Sequence, residues 1–234
     1  FDPATVMDAP ARRQTGRVVA LALSAARETL AQRYGESFLT NPLPLEKRRR
    51  IGVFLGTGGG ACSFAEQQYA YYFSGEVRKA TPFAIPSITP GTLASEVSMA
   101  FDLRGPSHVI STGCTSAADA IGVARLWLQS GRIDAALVGG VDDPLAPGIM
   151  EGSCLMNAVA TDRHDRPAEG CRPFNRDRAG LVIAEGAFFF LLEREEDARA
   201  AEVPAIAAID GYASTCEAFH RVRIREDGEE PARA

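Results

Sequence analysis

The stretch "SHVISTGCTSAADAIGVARLWLQSGRIDAALVGG" runs strand, helix, strand with short joins, and that order constrains the fold more than any other feature of the chain. Residues 108–112 centre on the apolar, β-branched pair Val109 and Ile110. From Ala117 the apolar positions take up helical spacing, at Ala117, Ala120, Ile121, Ala124, Trp127 and Leu128, up to about Ser130 with Gly131 as the cap. "IDAALVGG", 133–140, is a second buried strand. Strand, helix and strand in this order make a βαβ unit and imply parallel pairing, so the chain reads as α/β.

The flanking sequence fits that class. "RVVALALSAARETLAQRYG", 17–35, is an amphipathic helix closed by Gly35, and "IGVFLG", 51–56, is a buried strand that runs into "TGGGA". Residues 82–90 carry Pro82, Pro86 and Pro90 and are not expected to be regular throughout. "GTLASEVSMAFD" is a further helix, ended by the turn "LRGPS". Beyond 140 the chain turns irregular up to about Arg178. "LVIAEGAFFFLLE", 181–193, then reads as core strands broken at Glu185-Gly186, and "AIAAIDGYAS", 205–214, as one more strand. The last residues, "RIREDGEEPARA", read as a mobile polar tail.

The totals exclude several functions. A net charge of −5 over 234 residues argues against nucleic acid as the main partner, and the run Lys47-Arg48-Arg49-Arg50 reads as a solvated loop end. No apolar run approaches the roughly 20 residues of a membrane span. The first residues lack the continuous apolar core of a signal peptide. The five cysteines, Cys62, Cys114, Cys154, Cys171 and Cys216, are odd in number and widely spaced, without a C-x-x-C pair. Neither a disulfide framework nor a zinc site is expected, and a reducing cytoplasm fits best.

Cys114 stands apart because it sits where strand gives way to helix, behind a glycine that permits a sharp turn. Helix N-termini present unpaired N–H groups and partial positive charge, which favour a thiolate and would hold an oxyanion on an acyl group attached to sulfur. The alternative is that Cys114 is one more small buried hydrophobe. "GTGGGA", 56–61, has part of a dinucleotide fingerprint but lacks a second strand ending in an acidic residue about 20 positions later, so a close-packed glycine turn is the reading preferred. A cysteine nucleophile usually works with a histidine. His108 lies about 20 Å up an extended chain from Cys114, His164 reads as a loop residue, and only His220 would be brought near by a distant fold contact. "CRPFNRDRAG", 171–180, reads as a hydrogen-bonded charged loop.

Taken together, "RGPSHVISTGCTSAADAIG", "IDAALVGG", "RHDRPAEGCRPFNRDRAGLVIAEGA" and "GYASTCEAFH" resemble, in order and over nearly the whole chain, the β-ketoacyl synthase (ketosynthase) family of the thiolase superfamily. The "STGCTS" form is nearest the stand-alone, type II-like members of polyketide and fatty-acid pathways. The resemblance implies a five-layered α-β-α-β-α thiolase-like fold of two similar halves, of which this chain carries mainly the N-terminal one. It also implies a dimer, either a homodimer or a heterodimer with a ketosynthase-like chain-length partner, pairing through the strand "HVIST".

In the chemistry so implied, Cys114 takes an acyl chain from the phosphopantetheine arm of an acyl carrier protein. It passes that chain to a carbanion made by decarboxylating a malonyl unit, with no bound cofactor and no metal. Arg12, Arg13, Arg78 and Lys79 fall where the family has basic carrier-docking residues. Ser153 and Cys154 fall near the aromatic that often gates the acyl pocket. The family's two histidine motifs, "H-G-T-x-T" and a later "G-H", its lysine and its C-terminal glycine-rich loop do not occur in these 234 residues. The chain is therefore expected to be residues 1–234 of a nucleophile-bearing region cut at both ends. Two rival readings are a non-catalytic chain-length partner, which usually replaces the nucleophile, and a coenzyme A-dependent thiolase or chalcone-synthase relative.

Overall fold

A computed structural model describes residues 1–221 and 223–234. Its helices are α1 (Ala9–Gln14), α2 (Arg17–Tyr34), α3 (Leu45–Arg49), α4 (Cys62–Phe73), α5 (Ala84–Ile88), α6 (Thr92–Ala100), α7 (Ser116–Gln129), α8 (Pro147–Leu155), α9 (Glu195–Ala200) and α10 (Glu229–Arg233). Strands β1 (Ile51–Gly56), β2 (Ser107–Ile110), β3 (Ala135–Asp142) and β4 (Gly186–Glu193) form one sheet in the order β2-β1-β3-β4. β1 pairs parallel with both β2 and β3, and β4 closes the other side antiparallel to β3. The expected parallel unit is present. Its two strands are not adjacent, because β1 inserts between them.

The alternation of a strand buried on both faces divides the core in two. Val53, Leu55, Leu137 and Phe189 point to one side, where they meet Val18, Val19, Ala22, Ala26 and Leu30 of α2 and Leu93 and Val97 of α6. Phe54, Ala136 and Val138 point to the other, against Ala120, Ala124 and Leu128 of α7. Three layers result: helices, sheet, helix. Two bidentate ion pairs fasten α2 to β4 and to the residue just ahead of it. Arg17 donates to Glu185 at 2.6 Å through each of two nitrogens, and Arg33 donates to Glu193 at 2.8 and 3.1 Å. Sixteen helical residues rise about 24 Å and eight strand residues about 27 Å, so the two pairs hold helix and strand in register at both ends.

Glycines set how closely α7 can lie on the sheet. A Cβ on Gly56 would stand 2.4 Å from the backbone of Ser116 and Ala117, and one on Gly140 would stand 2.8 Å from the Ala117 Cβ. Gly35 and Gly131 adopt positive φ just past α2 and α7, where the spacing predicts the helices to end.

Residues 82–90 are regular only in part, as expected: 84–88 form one short helix that includes Pro86, whose missing N–H falls in a first turn that leaves such groups unpaired in any case. Two expectations need correction. Of 181–193 only the part from Gly186 is a strand, and Leu181 makes a single bridge to Val159. Residues 205–214 are not a strand. They cross the outer side of α7, where Arg125 donates to the Ile209 carbonyl at 3.0 Å and the Asp210 carbonyl at 2.7 Å, so side-chain donors replace a ladder.

The close approach gives a prediction. Gly56→Ala must push α7 off the carboxyl end of β1, and it is expected to cost about 1–3 kcal/mol. Thermal or urea unfolding checks this; a variant within 0.5 kcal/mol of the parent, at the scatter of about that size typical of surface substitutions, would contradict it.

Candidate active site

β1 and β2 run parallel and end together, and the chain leaves β2 into a tight turn, Gly113–Thr115, that delivers it to α7. Gly113 takes φ +71°, a conformation open to glycine at no steric cost, and so the turn can form. Cys114 is the middle residue of that turn and is exposed. Its exposure removes the reading of a small buried hydrophobe. Exposure alone does not single it out, since all five cysteines are exposed and unpaired. Two of them follow a strand into a helix: Cys62 opens the 12-residue α4 after β1, whereas Cys114 lies inside the turn itself, two residues ahead of the 14-residue α7.

The turn is held from two sides. Below it, Ser116 Oγ accepts from the Thr112 amide at 2.9 Å and donates to the Gly113 carbonyl at 2.5 Å, lying 3.1 Å from the Thr57 carbonyl. Above it, the buried Asp119 carboxylate accepts from the Thr112 hydroxyl, from the Thr115 hydroxyl at 3.0 Å and from the Tyr212 hydroxyl at 2.7 Å. The bonds from Thr112 and Tyr212 keep this carboxyl below the usual range although burial opposes them.

The neighbouring glycine turn after β1 is occupied by protein. Asp142, at the end of β3, accepts from the Thr57 hydroxyl at 2.9 Å, from the Gly58 amide at 3.0 Å and from the Gly59 amide at 2.8 Å. These amides are the ones a phosphate would need. Cys62, next along, has its thiol pushed up by burial and by Asp142, which leaves less thiolate than at a free cysteine.

The sequence leaves three histidines to place. His108 lies in β2 with its ring against Phe54 at 5.5 Å and Trp127 at 5.6 Å, a packing role. His164 is exposed in a turn. His220 accepts from the Arg223 amide at 3.1 Å. Among the described residues, no group of three or more His, Cys, Asp or Glu is placed to hold a metal ion, and no helix is long and apolar enough to cross a membrane.

Away from Cys114, an open groove of about 1060 Å³ brings Arg12 and Arg13 of α1 together with Lys79, beside Tyr71. Arg78 is not among its lining residues. The acidic groups of this groove are each engaged. Glu185 holds Arg17, Asp143 accepts from Ser63 at 2.5 Å, and Glu66 accepts from the Gly148 amide at the start of α8 at 2.9 Å. Ser153 and Cys154 lie near the end of α8, Ser153 donating to the Ile149 carbonyl at 2.8 Å and Cys154 exposed. The sequence singles out neither Asp119 nor Asp142; the only signal was the run of hydroxyl residues around Cys114 and the paired acids after "LVGG".

If the turn activates Cys114, that thiol should react with iodoacetamide about tenfold or more faster than Cys62, Cys154, Cys171 and Cys216. Peptide mapping after limited alkylation reads this; preferential labelling of any other cysteine refutes it.

Comparison with known proteins agrees with this geometry. The chain is 38% identical over 193 residues to a putative polyketide beta-ketoacyl synthase 1 of Streptomyces virginiae, covering 79% of this chain and 45% of that protein. It is 32% identical to the 3-oxoacyl-[acyl-carrier-protein] synthase 2 of Rhizobium meliloti, covering 95% and 52%. A solved structure of a type II polyketide synthase acyl-carrier protein, in complex with its ketosynthase bound to the hexaketide, matches with a TM-score of 0.77 and 27% identity over 95% of this chain and 53% of the other. The chain thus spans about half the length of the relatives it matches, and its three layers correspond to the N-terminal half of the expected five-layered fold. The family model for the beta-ketoacyl synthase N-terminal domain matches residues 1–198, from α1 through the Cys114 turn to β4, and the chain belongs to that family.

Proposed function

We propose that this chain supplies the nucleophile of a decarboxylating condensing enzyme that works on acyl groups carried by an acyl carrier protein, in polyketide or fatty-acid synthesis. The observation that carries this reading is Cys114, exposed on a turn braced by Ser116 and Asp119 at the start of α7. The Cys114 thiolate attacks the thioester carbonyl of the incoming chain, the tetrahedral oxyanion collapses, and the phosphopantetheine thiol leaves with a proton. A malonyl thioester then loses carbon dioxide, its carbanion attacks the acyl-Cys114 carbonyl, and the thiolate is released as the β-ketoacyl thioester forms. The intact cysteine weighs against a non-catalytic chain-length partner, and relatives that are polyketide and 3-oxoacyl-carrier synthases favour carrier-bound substrates over coenzyme A esters. Cys114→Ala in the full-length protein is expected to abolish covalent acyl loading; retained loading overturns the reading.

The basic groove of Arg12, Arg13 and Lys79, with Arg78 nearby in sequence, is the surface we assign to an acidic carrier protein and its phosphopantetheine arm. Ser153 and Cys154 are small side chains assigned to the acyl pocket. Charge reversal at Arg12 and Arg13 should weaken carrier binding roughly tenfold and flatten its salt dependence, leaving Cys114 alkylation unchanged. Unaltered carrier affinity would refute the docking assignment.

The reading also includes a homodimer or a heterodimer with a chain-length partner. β2 is an outer strand of the sheet, and pairing with a mate would remove that edge. Sedimentation of the full-length protein, alone and with a candidate partner, at micromolar concentration tests it; a monomer under both conditions contradicts it.

A further inference from the structure

Asp119 lies one turn into α7, yet its carboxylate is directed back at the turn that carries Cys114. One oxygen receives two hydroxyls, from Thr112 on one side of the cysteine and Thr115 on the other, and the Thr115 hydroxyl also lies 3.1 Å from the Thr112 carbonyl. The second oxygen receives the hydroxyl of Tyr212, from a segment 93 positions further along the chain. The tyrosine ring lies flat on α7 over Gly122, where a Cβ would stand 2.2 Å from it, so that glycine is what admits the ring. Arg125, one helical turn on, binds the backbone of residues 209 and 210 and fixes the segment that carries Tyr212. A buried carboxylate that takes the hydroxyls of Thr112, Thr115 and Tyr212, with Ser214 as a fourth partner, is a strong, directional lock, and its two threonine donors bracket a single exposed thiol.

We propose that Asp119 is a positioning residue for Cys114, holding the 112–115 turn through both threonines, and that Tyr212 locks Asp119 from outside. This rests on the reading of Cys114 as the acyl-accepting nucleophile. Asp119 itself does not touch the reacting atoms; it acts through Thr112 and Thr115. The segment 205–214 thereby gains a mechanical connection to the nucleophile, so the placement of the chain after β4 bears on how the thiol is presented.

The experiment uses the full-length protein and measures, by peptide mapping, iodoacetamide rates at Cys114 with Cys154 and Cys171 as internal references. It also measures self-acylation by a short acyl-pantetheine thioester. Asp119→Ala should slow Cys114 alkylation about tenfold, and lower the maximal acylation rate with little change in the half-saturating thioester concentration, since misplacement of a reacting group costs rate. Asp119→Asn keeps the shape and one acceptor and should recover to within about threefold of the parent. Tyr212→Phe keeps the ring on Gly122 and removes one donor, with about threefold slowing expected. Combined with Asp119→Ala it should add nothing, because both act through the same carboxylate.

Equal slowing at Cys154 and Cys171 would mean general loosening and would overturn the proposal, as would a Cys114 rate in Asp119→Ala that rises or stays within twofold of the parent. If Asp119→Ala does not fold, Tyr212→Phe decides alone, an unchanged Cys114 rate overturning the proposal. A parent protein whose Cys114 is not the fast cysteine would instead defeat the functional reading, and this proposal with it.

Discussion

The close approach of α7 to the carboxyl ends of β1 and β3 is the constraint on which the rest of the structure depends. It requires Gly56 and Gly140 at the contact, because a Cβ at either would collide with Ser116 or Ala117. The helix axis is thereby brought near enough for Ser116 Oγ, which also holds the Gly113 carbonyl, to lie beside the carbonyl of Thr57, and this ties the Cys114 turn to the end of the central strand. The same approach lets Phe54, Ala136 and Val138 pack directly on Ala120 and Ala124. Small side chains on the helix and missing side chains on the strands are one solution to one spacing.

The opposite face is organised by different means. There α2 packs large aliphatic residues on β3 and β4, and two arginine–glutamate pairs hold its ends. The Arg33–Glu193 pair is half-shielded from water, and breaking it leaves a partly desolvated charge without its partner. Exposed pairs elsewhere, such as Lys79–Glu76, contribute little to stability. The α7 side of β4 is less covered. Phe188 and Phe190 stack edge to face at 5.8 Å while each remains about half exposed, at 50% and 47%. That leaves an apolar strip on this side of β4.

Polar groups divide the labour at the site. Asp142 satisfies the amides after β1, Ser116 satisfies the turn from below, and Asp119 satisfies the hydroxyls above it. With these contacts made inside the protein, the exposed Cys114 is the group the turn presents outward. The groove on α1 and α4 follows a similar logic: its acids are each committed to a neighbour, Glu185 to Arg17 among them, while Arg12 and Arg13 line it beside Lys79.

Local pattern alone determined the helix over 17–35, the strands at 51–56 and 133–140, the βαβ order and the place of Cys114 at a strand-to-helix turn, because those features follow from the periodicity of apolar side chains and from glycine's freedom at φ > 0. The long motifs also pointed to the family. Tertiary structure decided what periodicity cannot encode. It inserted β1 between the two strands of the βαβ unit, and turned 205–214 from an expected strand into a segment lashed across α7. It also brought Asp119 and Tyr212, 93 residues apart, onto one bond, and placed Arg12 and Arg13 beside Lys79 across a groove. The physical reason is the same in each case: a strand is a strand only where a sheet edge accepts its backbone, and a carboxylate gains its partners only once distant hydroxyls are packed against it.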